Sequence, residues 1–257
     1  MIINILDVAV RVSDDPNFID FWRLVDKGQW EGDTLGAICR LNSQSDTFVD
    51  VGCWIGPTTL YASTKYSRVV AIEPDPKAFA AVTENVQISQ VSNVELHNLA
   101  ISSNDNGLTI ANHSESGGDS MTSALLVGSG TPELSIISKS LLQMFDDCDI
   151  DRRAVMKIDI EGHEFELLMA KQLDTIACRT SAILLSLHPQ YLELFANKVP
   201  TQTFRRRISV LIQIGLLPLR FRICNFDGTF CSLIRFYLKL TIRGTFQSEM
   251  LLIPYRR

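Results

Sequence analysis

The sequence predicts an α/β chain built on a parallel sheet with helices on both faces and an antiparallel edge at its C-terminal side. Three observations carry this. Apolar strand-like runs alternate with helix-period segments from residue 48 to residue 187. Two of those runs, ending at Asp50 and Asp159, close in an acidic residue followed within three positions by a glycine. After residue 215 the runs LRFRICNFDG, FYLKLTIRG and EMLLIPY are strand-like with few helical interruptions. Strand–helix alternation buries both faces of a parallel sheet, whereas consecutive strands pair antiparallel.

In chain order, residues 1–46 read as a short helical lead-in. FIDFWRLVDKG is an amphipathic helix ending at Gly28, QWEGD is a turn, and a second helix runs from Thr34 to Leu41 with Asp33 as its cap. Residues 47–257 form the main domain, with strands at 48–52, 68–73, 93–100, 107–111, 154–160 and 181–187. Helices are predicted at 58–65, where Pro57 suits the first turn, and at 76–89, 138–146, 163–171 and about 201–214. The stretch NHSESGGDSMTSALLVGSGTP, residues 112–132, is rich in glycine and serine and too long for a simple connection, so it reads as a lid or substrate loop.

Composition narrows the function. With 257 residues, 46% hydrophobic and 21% charged, and a net charge of −5, the chain fits one α/β domain and lacks a bulk electrostatic affinity for nucleic acid. Arg205, Arg206 and Arg207 read as a solvated helix face, with an anionic-substrate or membrane patch as the alternative. The six cysteines include no C-x-x-C pair and no zinc-type histidine spacing, so they read as reduced, mostly buried thiols. Cys53, inside the glycine turn, reads as a space-filler before a nucleophile. No run approaches the roughly 18 apolar residues that span a membrane, and MIINILDVAVRVSDD has no signal-peptide pattern. The expectation is a cytoplasmic protein without a membrane span, with homo-oligomerisation left open.

The richest stretch is FVDVGCWIGPTT, where a strand runs into Asp50, Gly52 and Gly56 and then a helix. Such a turn can bring backbone N–H groups against a ligand. A second strand, RVVAIEPD, ends at Glu73, about 20 residues after Gly52, which suits a carboxylate accepting from ribose hydroxyls. A dinucleotide site requires G-x-G-x-x-G, whose second glycine makes room for pyrophosphate; here that position is Trp54. Asp50 would also repel phosphate, yet could hold the amino group of an amino-acid tail. Together these favour S-adenosylmethionine over a nicotinamide dinucleotide.

The second signal is VMKIDIEGHEFELL, with Asp159 at a strand tip, Glu161 and Gly162 in the turn and Glu164 in the first helical turn, where the helix dipole alone would account for it. Two carboxylates flanking one residue crowd negative charge that a cation, a basic group or a proton must offset. Because ligands of open α/β sheets bind beyond the carboxyl ends of the strands, Asp50, Gly52, Glu73, Asn98, Asp159, Glu161 and His188 share one rim. His188, after strand 181–187, is the candidate general base, with Asp159 orienting it. A divalent cation held by Asp159, Glu161 and His188 is a second way to activate a hydroxyl, which the spacing does not require. His163 and His97 read as surface residues.

Taken together, VDVGCWIGPTT, VVAIEPD, HNLAIS and KIDIEGHE resemble the FkbM family of S-adenosylmethionine-dependent methyltransferases over roughly residues 28–190. The most specific element is the block 157–164, similar to the family's K-I-D-[VI]-E-G-x-E signature. The resemblance implies a class I methyltransferase (Rossmann-like) fold with a seven-stranded sheet, and transfer to oxygen, commonly a hydroxyl of a sugar or small secondary metabolite. It puts Asp50, Gly52 and Gly56 around the methionine part of the cofactor and Glu73 on the ribose; Asn98 and Asp159 are read as cofactor-binding from their place on the same rim. Trp30-Glu31 looks like the family's W/Y-E pair, folding over the cofactor. Cys53-Trp54 and Pro57 depart from the family's usual residues. The alternative is a non-catalytic, methyltransferase-like module that binds cofactor or a partner.

Overall fold

A computed structural model describes residues 1–103, 107–111, 118, 122–128, 132–151, 153–197, 203–229, 231–232 and 249–255. The chain opens with a hairpin of β1 (Ile2–Ile5) and β2 (Val8–Arg11), followed by α1 (Ile19–Asp26) and α2 (Gly32–Leu41). The main domain continues with β3 (Thr47–Val51), α3 (Pro57–Ser63), β4 (Arg68–Ile72), α4 (Pro76–Ser89), β5 (Val94–His97) and β6 (Ala100–Ile101). Next come β7 (Leu108–Ala111), β8 (Glu133–Ile136), β9 (Ser138–Lys139), α5 (Leu141–Asp147), β10 (Ala154–Ile158), α6 (Glu164–Met169) and α7 (Gln172–Ile176). The last elements are β11 (Thr180–Ser186), α8 (Leu192–Asn197), α9 (Thr203–Arg220), β12 (Phe221–Cys224) and β13 (Glu249–Pro254).

The seven-stranded sheet has the order β12-β13-β11-β10-β3-β4-β5. The five strands from β11 to β5 run parallel, and β13 runs antiparallel to both its neighbours. The antiparallel strand therefore lies one place inside the edge, which β12 forms. This is the class I methyltransferase architecture. Chain order reverses between β3 and β10, so the connections that leave their carboxyl ends run in opposite directions and leave a crevice, where a doubly wound sheet binds its ligand.

Strand pleating sorts the core into two layers. Phe48 and Val155 face one side with Trp22, Ile38 and Tyr61, while Val49, Val51, Met156 and Ile158 face the other with Phe145 and Phe165. Two residues break the apolar pattern. Asp50 and Lys157 are register partners in neighbouring strands, and both are buried.

The structure corrects four sequence expectations. The lead-in is not all helical, because Ile3 and Ile5 alternate inward on β1 and a two-residue turn at Leu6–Asp7 returns the chain; that turn lacks the Asn-Gly signature. Residues 1–46 also share the core of the sheet through Trp22 and Ile38. Asp33 lies within α2, whose N-cap position is held by Glu31 in a left-handed conformation. The predicted strand 93–100 bends after His97, β6 pairing instead with β9 at the start of the predicted helix 138–146, and β7 pairs with β8 outside the main sheet. The predicted strand FYLKLTIRG lies outside the described residues.

Candidate functional site

The carboxyl ends of β3, β4 and β10 line one cleft, whose walls include Gly52, Trp54, Glu73, Asp159, Ile160 and Glu161. Gly52 has φ 82°, and a Cβ there would stand 1.9 Å from the carbonyl oxygen of Asp159. This glycine is therefore fixed by the contact between the two strand tips rather than by ligand volume. Gly56 (φ 96°) is likewise a packing position, since a Cβ would come 2.6 Å from Val82. The turn also spends its N–H groups internally. Those of Gly52 and Cys53 donate to the Ile72 carbonyl, that of Trp54 to Glu73 and that of Gly56 to the Cys53 carbonyl. The expected cradle of free N–H donors is absent at these four positions, as suits a ligand without phosphate. Cys53 is buried, and burial pushes its thiol pKa well up, which leaves it unreactive.

Glu73 sits at the tip of β4 and accepts from the N–H of Trp54 and of Asp75, both at 2.8 Å. Burial pushes its carboxyl up to about 8 against those two bonds. Asn98 supports the same loop by donating to the carbonyls of Glu73 (2.8 Å) and Pro74 (3.1 Å), so its amide holds the Glu73 loop. Trp54 walls the cleft, its ring edge-on to Phe21 and its indole N–H donating to the Gly118 carbonyl. Asp75 caps α4 and also accepts from Gly118 N–H and the Thr122 hydroxyl. These described parts of the 112–132 segment thus attach to the loop that carries Glu73.

Behind this wall lies a buried ion cluster. Asp50 accepts from the hydroxyls of Thr58 (2.6 Å) and Thr59 (2.7 Å), and its other oxygen is 4.0 Å from Lys157 Nζ. Asp50 is fully buried and takes no part in the cleft lining, so the expected direct hold on an amino group is replaced by a hold on α3 and Lys157. Lys157 lies 3.0 Å from Asp159 Oδ2. Burial alone would lower its pKa, but the charges of Asp159, Asp50 and Glu31 outweigh it and raise the value. Glu31 joins the cluster from α2 with backbone φ 38°, its pKa raised by burial and its Oε2 buried without a hydrogen-bond partner.

The rim on the β10–β11 side is built differently. His188 Nε2 lies 3.3 Å from Asp159 Oδ1 and 3.5 Å from Glu161 Oε1, while Nδ1 lies 3.1 Å from Glu164 Oε1. Burial alone would lower the His188 pKa, but the Glu164 hydrogen bond and the charges of all three carboxylates raise it to about 9. Both ring nitrogens thus face carboxylates, an arrangement that favours the charged ring over the free base of the sequence reading. Glu161 has φ 51°, its carbonyl accepts from the Ser123 hydroxyl, and burial pushes its carboxyl up to about 7. His163 is buried rather than on the surface, 2.6 Å from Glu166, and His97 is half-buried near Cys148.

Gly52, Glu73, Asp159 and Glu161 therefore meet in one cleft. His188 stands against the last two, Glu31 is coupled electrostatically to Lys157 and Asp159, and Asn98, Asp50 and Gly56 act from behind the wall. Sequence reasoning missed Lys157 as the hub of the buried charges and Glu164 as the partner of His188. The signal for Lys157 was a lone cation in the apolar strand VMKI. For Glu164 it was an acid on the turn that leads away from Asp159.

The methyltransferase FkbM domain model matches residues 50–208, more than half of the chain. Curated relatives include the hexuronic acid methyltransferase AglP of Haloferax volcanii, 27% identical over 155 residues that make up 58% of this chain and 59% of the relative. Methyltransferase 1 of Beauveria bassiana is 27% identical over 146 residues, 48% of this chain and 57% of the relative. The chain thus matches under two thirds of the length of either. Among solved structures it is similar to a putative O-methyltransferase from Klebsiella pneumoniae, with TM-score 0.46, 12% identity, and coverage of 88% of this chain and 80% of that one. It is also similar to methyltransferase FkbM from Methylobacillus flagellatus KT, with TM-score 0.41, 16% identity, and coverage of 95% and 56%. The chain belongs to the FkbM methyltransferase domain family.

Proposed function

We propose that this protein uses S-adenosylmethionine to methylate a hydroxyl of a sugar or a related small metabolite. The observation that carries the reading is the meeting, in one cleft at the sheet's reversal point, of a ribose-suited carboxylate (Glu73) and a polar rim (Asp159, Glu161). The cofactor fits the residues present. Each Glu73 oxygen accepts one backbone N–H and keeps a lone pair for a ribose hydroxyl. Glu31, coupled electrostatically to Lys157 and Asp159, adds negative potential on the side of the cleft where an ammonium group would lie. The four turn N–H groups already spent, and Trp54, disfavour a pyrophosphate.

When bound, the cofactor supplies an electrophilic methyl group. The chain's own residues position the acceptor and receive its proton. Asp159 and Glu161 present carboxylate oxygens to the cleft, within reach of a hydroxyl placed there. His188, held by Glu164, stands between those two carboxylates and keeps them together. The sugar-like acceptor draws support from the relative named as a hexuronic acid methyltransferase.

The test has two parts. Calorimetric titration with S-adenosylhomocysteine should show one site per chain, and methyl-labelled cofactor with a panel of uronic acids and neutral sugars should give an alkali-stable methyl ether. Binding without product on any hydroxylated acceptor would favour a non-catalytic module. Failure to bind S-adenosylhomocysteine would remove the reading altogether.

A further inference from the structure

We propose that Asp159, Glu161 and His188 form a three-ligand site for a divalent transition-metal cation that faces the cleft and receives oxygen donors of the acceptor. One ligand atom from each residue lies within 4.8 Å of the others, and His188 Nε2 is 3.3 Å and 3.5 Å from the nearest carboxylate oxygens. Ligands bound to a single ion at about 2.0–2.2 Å stand about 3.0–3.5 Å apart, so small side-chain shifts close the set once the incoming cation displaces the Nε2 proton to solvent.

The surroundings supply what such a site needs beyond its ligands. Glu164 is fully buried, and its Oε1 takes the Nδ1 side of His188, which directs Nε2 at Asp159 and Glu161. A carboxylate behind a histidine fixes the ring and raises its basicity as a ligand. Glu164 Oε2 is buried with no hydrogen-bond partner, so negative charge at the site is left incompletely compensated. Lys157 occupies Asp159 Oδ2 and leaves Oδ1 to the cluster. Five carboxyl groups, those of Glu31, Asp50, Asp159, Glu161 and Glu164, gather around Lys157 and His188, and a divalent cation adds net positive charge there even after displacing the His188 proton.

The donor set selects the ion. Two carboxylates and one imidazole suit Mn²⁺ or Zn²⁺ better than Mg²⁺, which favours oxygen alone. A cation open on the cleft side also fits an acceptor with adjacent oxygen donors, a vicinal diol or a hydroxy acid. Without it the acidic rim would repel an anionic sugar. This substrate preference rests on the function proposed above, whereas the cation site itself does not.

The experiment uses the full chain stripped with EDTA and dialysed. Mn²⁺ alone is titrated and its free fraction followed by electron paramagnetic resonance, with Zn²⁺ as competitor. The expected result is one Mn²⁺ per chain, displaced by Zn²⁺. His188→Ala and Glu161→Gln should weaken uptake at least about 10-fold, and Glu164→Gln about 10- to 100-fold through the lost support of the ring. Circular dichroism and S-adenosylhomocysteine titration confirm that each variant is folded; Glu161→Gln, nearly isosteric, keeps the test decisive if His188→Ala unfolds. Absence of Mn²⁺ and Zn²⁺ uptake by the wild type at about 1 mM, a concentration where a built site would be filled, overturns the proposal. So does uptake that folded Glu161→Gln and His188→Ala leave unchanged. Because no cofactor or acceptor enters the metal titration, its outcome is independent of whether methyl transfer is observed.

Discussion

The two sides of the cleft treat buried acid in opposite ways. At the tips of β3 and β4, one oxygen of Asp50 takes two threonine hydroxyls while the other lies 4.0 Å from Lys157, and Glu73 takes two backbone N–H groups, so each carboxylate has donors of its own. At the tips of β10 and β11, Asp159, Glu161 and Glu164 converge on a single imidazole, and one buried oxygen of Glu164 has no hydrogen-bond partner. The first arrangement makes a rigid wall. The second crowds three carboxylates on one base, where the acceptor or ion proposed above would settle the charge. The comparison separates scaffold from chemistry within one crevice.

The sharpest way to break it is at the contact that joins the two sides. Gly52→Val would put a Cβ 1.9 Å from the backbone oxygen of Asp159, a clash that no rotamer relieves, at a φ that disfavours a β-branched residue. The expected loss is more than about 4 kcal/mol of stability, with S-adenosylhomocysteine binding abolished. Thermal unfolding and calorimetry check it; a variant that melts and binds like the wild type would mean that the strand tips do not touch. The intruding side chain meets protein before it meets ligand.

Next in size is the link that carries charge between the sides. Lys157→Met would leave the buried Asp50 and the half-buried Asp159 and Glu31 without their shared cation, at an expected cost of about 3–5 kcal/mol. Adding Asp50→Asn to that variant should recover part of the loss, because one uncompensated charge is then gone. Denaturant unfolding of the single and double variants measures the recovery, and strict additivity would argue that the two residues are uncoupled.

Much of this was legible in the sequence because it depends on spacing. The parallel core, the two acidic strand tips and Glu73 follow from period-2 runs, glycine after acid, and the distance between two strands. What was not legible depends on three-dimensional contact. Nothing local shows that Gly52 touches the Asp159 carbonyl, or that Glu164 reaches His188 across 24 positions. Asp50 reads identically whether its oxygens face a ligand or Thr58 and Thr59. The hairpin at residues 2–11 was hidden by a turn, Leu6–Asp7, that breaks the usual turn chemistry.

On the wall side, Glu73→Ala should weaken S-adenosylhomocysteine binding by about 1–2 kcal/mol, the worth of a hydrogen bond from ribose to a buried carboxyl whose pKa burial raises to about 8. It also orphans the N–H groups of Trp54 and Asp75, so Glu73→Gln, which keeps one acceptor, should lose less. Unchanged affinity in a folded Glu73→Ala protein would take this carboxylate out of the cofactor site.

The smallest effect sharpens the comparison with an acid that lies next to the rim but is fully satisfied. Glu166, on the same helix as Glu164, accepts from Ser103 N–H and the Ser102 hydroxyl and lies 2.6 Å from His163. Burial alone would raise its pKa, but the bond to His163 and those from Ser103 outweigh it and lower the carboxyl to about 2, from an ordinary 4.5. A folded pKa below the unfolded one gives stability that is complete above about pH 4.5 and is lost as pH falls toward 2. With the side chain 23% exposed, solvent screening discounts the contribution to about 1–2 kcal/mol. Glu166→Gln should therefore melt below the wild type at pH 6–7, and the two curves should converge as the solution is acidified toward pH 2. A difference that persists unchanged down to pH 2 would show that Glu166 stabilises by packing and not by its charge, and would erase the contrast with the rim carboxylates.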